Sequence, residues 1–150
     1  MRIGTLAVAV LILLAPHVFA QEQKEAPKPG PFVTVYRDDT LAFQIRRDRI
    51  KPIGEGIYTV WLRWLWAEPQ PWKSELETSR VIVANVDCTR LRVRELGILH
   101  KDRSGKVIES EEWSPEDAPW RTFERESGAA KTVAQVCELI PQLQDASKVN

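Results

Sequence analysis

Ile57-Tyr58-Thr59-Val60-Trp61-Leu62-Arg63-Trp64-Leu65-Trp66 decides the fold. On a period of two, Tyr58, Val60, Leu62, Trp64 and Trp66 share one apolar face. Thr59, Trp61 and Arg63 share the other, with Leu65. Aromatic and β-branched residues dominate, so the stretch reads as a long central strand with one face on a core. Glu68-Pro69-Gln70-Pro71 is expected to end it, because proline cannot donate to a ladder.

The next strand downstream is Arg80-Val81-Ile82-Val83-Ala84-Asn85-Val86-Asp87-Cys88, with Ile82, Ala84, Val86 and Cys88 on its apolar side. Residues 91–100 form a further strand in which Arg92 and Arg94 alternate with Leu91 and Val93, and Gly97 marks a bulge. Asp102-Arg103-Ser104-Gly105 is a turn, after which residues 106–113 return antiparallel. Upstream, Phe32-Val33-Thr34-Val35-Tyr36 and Leu41-Ala42-Phe43-Gln44-Ile45 flank Arg37-Asp38-Asp39-Thr40 and read as a hairpin. Lys51-Pro52-Ile53-Gly54-Glu55-Gly56 reads as a connection.

The last element changes period. Ser127 suits an N-cap. Val133, Val136, Cys137 and Ile140 then make one helical stripe, which Pro141 is expected to stop. The pattern predicts an α+β fold: about six antiparallel strands with one C-terminal helix packed across one face.

Arg2, the apolar run Leu6-Ala7-Val8-Ala9-Val10-Leu11-Ile12-Leu13-Leu14-Ala15, and Val18-Phe19-Ala20 make a signal peptide over residues 1–20, cleaved after Ala20. The apolar run is short for a membrane span, and no Cys follows it to take a lipid. The protein is therefore expected in the periplasm or secreted, without a transmembrane anchor. Residues 21–31 (QEQKEAPKPGP) read as a flexible leader, and 32–150 as a single domain.

Export bears on the two cysteines. Cys88 and Cys137 are most simply one disulfide, since no CxxC pairing exists and the mature chain keeps one histidine, His100. The whole chain has 21 basic and 21 acidic residues. That balance argues against a general nucleic-acid binder, which needs a basic excess to displace counterions.

The order of features resembles the surface-adhesin E family of exported bacterial proteins. The carrying residues are Asp87-Cys88, Arg92-Val93-Arg94, Asp102-Arg103-Ser104-Gly105-Lys106-Val107, Trp120, Ser127 and Val136-Cys137, across residues 32–140. The resemblance implies a curved antiparallel sheet with its C-terminal helix tied down by the disulfide. It also implies an interaction protein with an envelope or extracellular-matrix protein as partner, and a homodimer as one expected state. The chain departs from the family in lacking a lipid-anchor Cys and in reading Arg125-Glu126-Ser127-Gly128 without a Pro before the Ser.

The residues alone offer modest chemistry. Trp64 and Trp66 continue a core face, whereas Trp61 sits beside Arg63 and Trp72 follows a Pro-rich stretch, so these two are candidates for recognition. The segment Arg46-Arg47-Asp48-Arg49-Ile50-Lys51 has an uncompensated basic excess, which makes Arg46, Arg47, Arg49 and Lys51 candidates for an acidic partner. The basic residues at 90–106 and the acids at 109–126 are expected to face one another across a hairpin. No GxSxG, SxxK, HExxH or phosphate loop occurs, and His100 is expected in solvent at a strand end. A non-enzymatic binding protein is the first reading, with neither cofactor nor metal. A small-molecule or glycan carrier that uses the tryptophans is the alternative.

Overall fold

The structure is a computed structural model that describes residues 30–148. The expected signal peptide and most of the leader lie outside the described residues. Strands β1 (Phe32–Arg37) and β2 (Leu41–Arg46) form the first hairpin, and a 3-10 turn (Arg47–Arg49) leads into β3 (Lys51–Gly54). Strands β4 (Ile57–Trp72) and β5 (Glu75–Asp87) form the long central hairpin. Then come β6 (Arg92–Lys101), β7 (Val107–Glu112), β8 (Arg121–Thr122) and helix α1 (Gly128–Lys148).

Every strand pairing is antiparallel, and the main order is β1-β2-β4-β5-β6-β7. Strand β3 adds to β4 and β8 adds to β6. The six-stranded path is the one the alternation predicts. The two additions have four and two residues, too few to carry a periodic signal, and β3 takes up part of the expected connection.

The first hairpin turns on Asp38. Its Oδ1 accepts the Thr40 and Leu41 N–H groups at 2.7 and 2.9 Å, and the Tyr36 hydroxyl donates to Oδ2 at 2.7 Å. At the other end of the sheet, Gly97 opposes Val83 and Glu95 opposes Ala84, which leaves Leu96 as the extra residue of the expected bulge. A Cβ on Gly97 would come within 3.3 Å of the Glu111 carbonyl oxygen.

Two prolines are tolerated where the pattern expected stops. Strand β4 continues past Pro69 and Pro71 to Trp72. Its pairing with β2 ends at Trp66, so beyond that point β4 pairs only with β5, and its register shifts between Leu65 and Gln70. Edge position and irregularity are where a strand accepts proline. Helix α1 likewise runs through Pro141 to Lys148. The missing N–H is the one that would reach the Cys137 carbonyl, at a cost of about 3 kcal/mol. Leu143, one half-turn further on, packs against the core and offsets part of that cost.

The core joins Phe43 and Ile45 of β2, Val60 and Leu62 of β4, Ile82, Ala84 and Val86 of β5, and Val133, Val136 and Ile140 of α1. These are the faces the two periodicities predict. Ser127 caps the helix, its Oγ accepting the Ala130 N–H at 3.2 Å. Cys88 and Cys137 are bonded with their Cα atoms 5.5 Å apart, so the bridge closes the junction between the end of β5 and the helix.

Beside the bridge, Asp87 is fully buried. Its Oδ1 accepts the Thr89 and Arg90 N–H groups at 3.1 Å each, and its Oδ2 takes Arg92 Nε at 2.9 Å. Burial alone would raise this carboxyl, but Arg92 and Arg90 outweigh it and hold the pKa below the ordinary value.

Two outcomes follow. Replacing Cys88 and Cys137 together by Ser should lower the unfolding free energy by about 2–5 kcal/mol in urea titrations. A carboxyl depressed by folding stabilises above its unfolded pKa and loses that contribution as pH falls through the folded value. Asp87→Asn should therefore be less stable at neutral pH and show a flatter loss of stability below about pH 4 than the parent.

Candidate functional site

The sheet face away from α1 is fixed by alternation. Arg46 follows the buried Ile45, and Trp61 and Arg63 flank the buried Leu62, so all three point away from the core. The Arg46 guanidinium lies 5.8 Å from the Phe32 ring centre and 5.9 Å from that of Trp61. The Arg49 guanidinium lies 5.7 Å from Trp61, and the Arg63 guanidinium only 3.8 Å above Phe32. Three of the expected partner-binding residues, Trp61, Arg46 and Arg49, thus meet in one patch. Arg47 lies in the 3-10 turn beside it, and Lys51 is exposed on β3 opposite Thr59.

The charges in this patch differ in how they are matched. Asp48 binds Arg46 at 2.9 and 3.1 Å and raises its pKa. Arg63 instead donates Nε and Nη2 to the amide oxygen of Gln44, at 2.8 and 2.6 Å. Burial pushes the Arg63 pKa down. A recess of about 190 Å³ opens between Phe32, Arg46, Trp61, Arg63 and Lys101.

Further along the same face the cations are occupied. Arg92 and Arg94 stand 4.5 and 4.7 Å from the Trp120 ring centre. Arg92 binds Asp87, and Arg94 donates to the Pro115 carbonyl at 2.9 Å. With its amide oriented to satisfy both neighbours, Asn85 donates to Thr59 Oγ1 at 2.8 Å and accepts from Arg94 at 3.0 Å. The expected cross-hairpin charge pairing is not what forms. Glu109, Glu111 and Glu112 oppose His100, Ile98 and Gly97, because β8, not β7, pairs with β6 at Arg92 and Val93.

Trp72 does not join Trp61. It stacks on His100 with ring centres 3.9 Å apart and donates its indole N–H to Glu109 at 2.6 Å. His100 is buried rather than solvated, and its Nδ1 lies 2.7 Å from Oε1 of the buried Glu77. Arg80 also binds Glu77, at 3.0 and 3.2 Å, and its guanidinium faces Trp66 and Trp72. In a regular strand Glu77 and Arg80 would point to opposite faces; the irregular β4–β5 pairing beside them lets them meet. Lys73 sits at φ 52° in the turn between β4 and β5, a conformation that favours glycine, and its ammonium binds Glu109. Lys73 and Trp72 hold the Glu109 carboxyl below its ordinary pKa. Among the described residues no cluster of His, Cys, Asp and Glu is placed to hold a metal.

On the helix side, α1 leaves part of the sheet uncovered. An open groove of about 430 Å³ runs beside the first turns of α1 over Leu41, Phe43, Leu62, Trp64 and Ile82, with Tyr36 and Phe123 also lining it. Its lining hydroxyls already have partners: Tyr36 binds Asp38 and Thr132 binds the Gly128 carbonyl. Trp64 meets Phe43 edge to face and Trp66 at a tilt. Among the described residues, no helix is long and apolar enough to cross a membrane. The chain matches no family model, and no curated protein or solved structure matches it.

The buried pair of Glu77 and His100, with the half-buried Arg80, makes a sharp expectation. Glu77→Ala leaves a buried histidine and a half-buried guanidinium without their acceptor, and should cost about 3–5 kcal/mol in chemical denaturation. Glu109→Ala, at the more exposed end of the same cluster, should cost clearly less.

Proposed function

We propose that this chain is an exported, non-enzymatic binding protein of the bacterial envelope, as the likeness to surface-adhesin E implies, and that it meets an acidic protein partner through the sheet face away from α1. The observation that carries this reading is Arg63: a partly buried cation above Phe32 whose acceptor is a neutral amide, beside Arg49 and Trp61. Tryptophan and arginine are the side chains that dominate protein-binding hot spots. Trp61 and Arg63 stand on a strand and Arg49 in the adjoining 3-10 turn, so a partner meets a surface largely in place. Trp72 drops out of the recognition set, since its ring and its N–H are both used internally.

The open groove supports a second reading, that of a carrier. Its volume falls within the range of ligand pockets, and Trp64 lines it. Apart from the Glu95 carboxylate its lining is mostly apolar, so the groove suits a hydrocarbon chain, one with a polar end included.

Surface plasmon resonance against envelope and matrix proteins separates the readings. Binding through the proposed face should weaken with salt and fall roughly tenfold or more in Trp61→Ala and Arg49→Glu variants. Unchanged binding in both variants would overturn the assignment of this face. Saturable change in tryptophan emission with a fatty acid, abolished in Trp64→Ala, would favour the carrier.

A further inference from the structure

We propose that the recess between Arg63 and Lys101 is a carboxylate pocket, which anchors one acidic side chain of a peptide segment in the partner. The proposal rests on the reading of this sheet face and names the chemistry it recognises.

Arg63 is the cation whose surroundings call for an anion. Arg46, Arg80 and Arg92 each contact a carboxylate, from Asp48, Glu77 and Asp87 respectively. Among the described residues, no ion pair involves Arg63, Arg49 or Lys101. Arg63 spends Nε and one Nη2 hydrogen on Gln44, and a guanidinium has five N–H donors, so donors remain for a ligand. A partly buried charge held by an amide and the face of Phe32, with no carboxylate, is incompletely compensated. An incoming carboxylate would compensate it, and the planar fork of arginine matches that group.

Size and surroundings set the class of ligand. At about 190 Å³ the recess is smaller than the pockets that take drug-sized molecules, which suits a single anchoring side chain. Phe32, Trp61 and Val81 line it with carbon and shield the contact from water, which strengthens it. A sulfated polysaccharide would need cations without carboxylate partners well beyond Arg49, Arg63 and Lys101. The arginines further along the face already bind Asp87, the Pro115 carbonyl and Asn85. One anchoring acid on a peptide is the better fit.

The test uses the mature chain, 15N-labelled, with three probes: a hexaglutamate peptide, a hexaglutamine peptide and a heparin hexasaccharide. Gln44→Glu is the central variant, because it hands Arg63 a carboxylate at the position the amide now occupies. Hexaglutamate should shift the Arg63 Nε–H signal, and hexaglutamine should not. Its affinity should fall roughly tenfold or more in Gln44→Glu and in Lys101→Met, and change far less in Arg103→Gln, an exposed residue that does not line the recess. Full affinity in Gln44→Glu, or binding that leaves the Arg63 signal unmoved, would overturn the pocket. So would heparin binding more tightly than hexaglutamate. If Trp61→Ala weakens the natural partner and Gln44→Glu does not, the face stands and the pocket falls; if neither does, both fall.

Discussion

Val60 and Leu62 of β4, Ile82, Ala84 and Val86 of β5, and Val133, Val136 and Ile140 of α1 exclude water from one side of the sheet, and the rest of the molecule follows from that contact. Because a strand repeats every two residues, burying Val60 and Leu62 forces Trp61 and Arg63 outward. Burying Ile45 does the same for Gln44 and Arg46. The patch of Trp61, Arg63 and Arg46 is the obligatory reverse of the core, so a one-residue slip in β4 would destroy both. The Cys88–Cys137 bond ties α1 to the sheet where β5 ends.

This dependence explains which parts were legible in the sequence. Long strands and a helix with a clean stripe announce themselves through period, and the faces of β4, β5 and α1 were readable to the residue. The Gly97 bulge and the Ser127 cap were readable because each rests on a local rule. The prolines misled because their rules are conditional: Pro69 and Pro71 stop a strand that has neighbours on both sides, and here β2 has already ended. Pro141 stops a helix unless packing beyond it, here by Leu143, holds the next turn in place. His100 was misplaced for a different reason. Its burial depends on Glu77 and Trp72, both beyond the point where the β4–β5 register shifts, and no alternation pattern carries information across such an irregularity.

The arginines of the sheet are matched in contrasting ways. Arg80 and Arg92 are locked by buried acids, and Arg94 by Asn85 and the Pro115 carbonyl, each with an indole face nearby. These arrangements favour a unique geometry more than stability, since a buried ion pair rarely outperforms a well-packed apolar cluster. Arg63 is built alike, with an aromatic ring beneath it and a side-chain acceptor beside it, yet the acceptor is an amide. The sequence signal that separates them is one residue type at one register position: Gln44 where a Glu would have closed the pair.

The buried cluster around His100 bears on the same face from the other side. Trp72 and Lys73 reach Glu109 on β7, so they tie the far end of the β4–β5 hairpin to the β6–β7 hairpin. Lys101, the last residue of β6, follows His100 directly and pairs with Ser79. Alternation sends His100 into the cluster and Lys101 to the opposite face, into the recess with Arg63. A histidine clamped between Trp72 and Glu77 therefore fixes the backbone that presents Lys101. The polar interior that β4 and β5 acquire beyond their irregularity holds in place one cation of the recess, Lys101, while Gln44 holds Arg63 and Asp48 holds Arg46. The proposed recognition of a single acid needs that spacing constant, and strands clamped on both faces supply it where a loop would not.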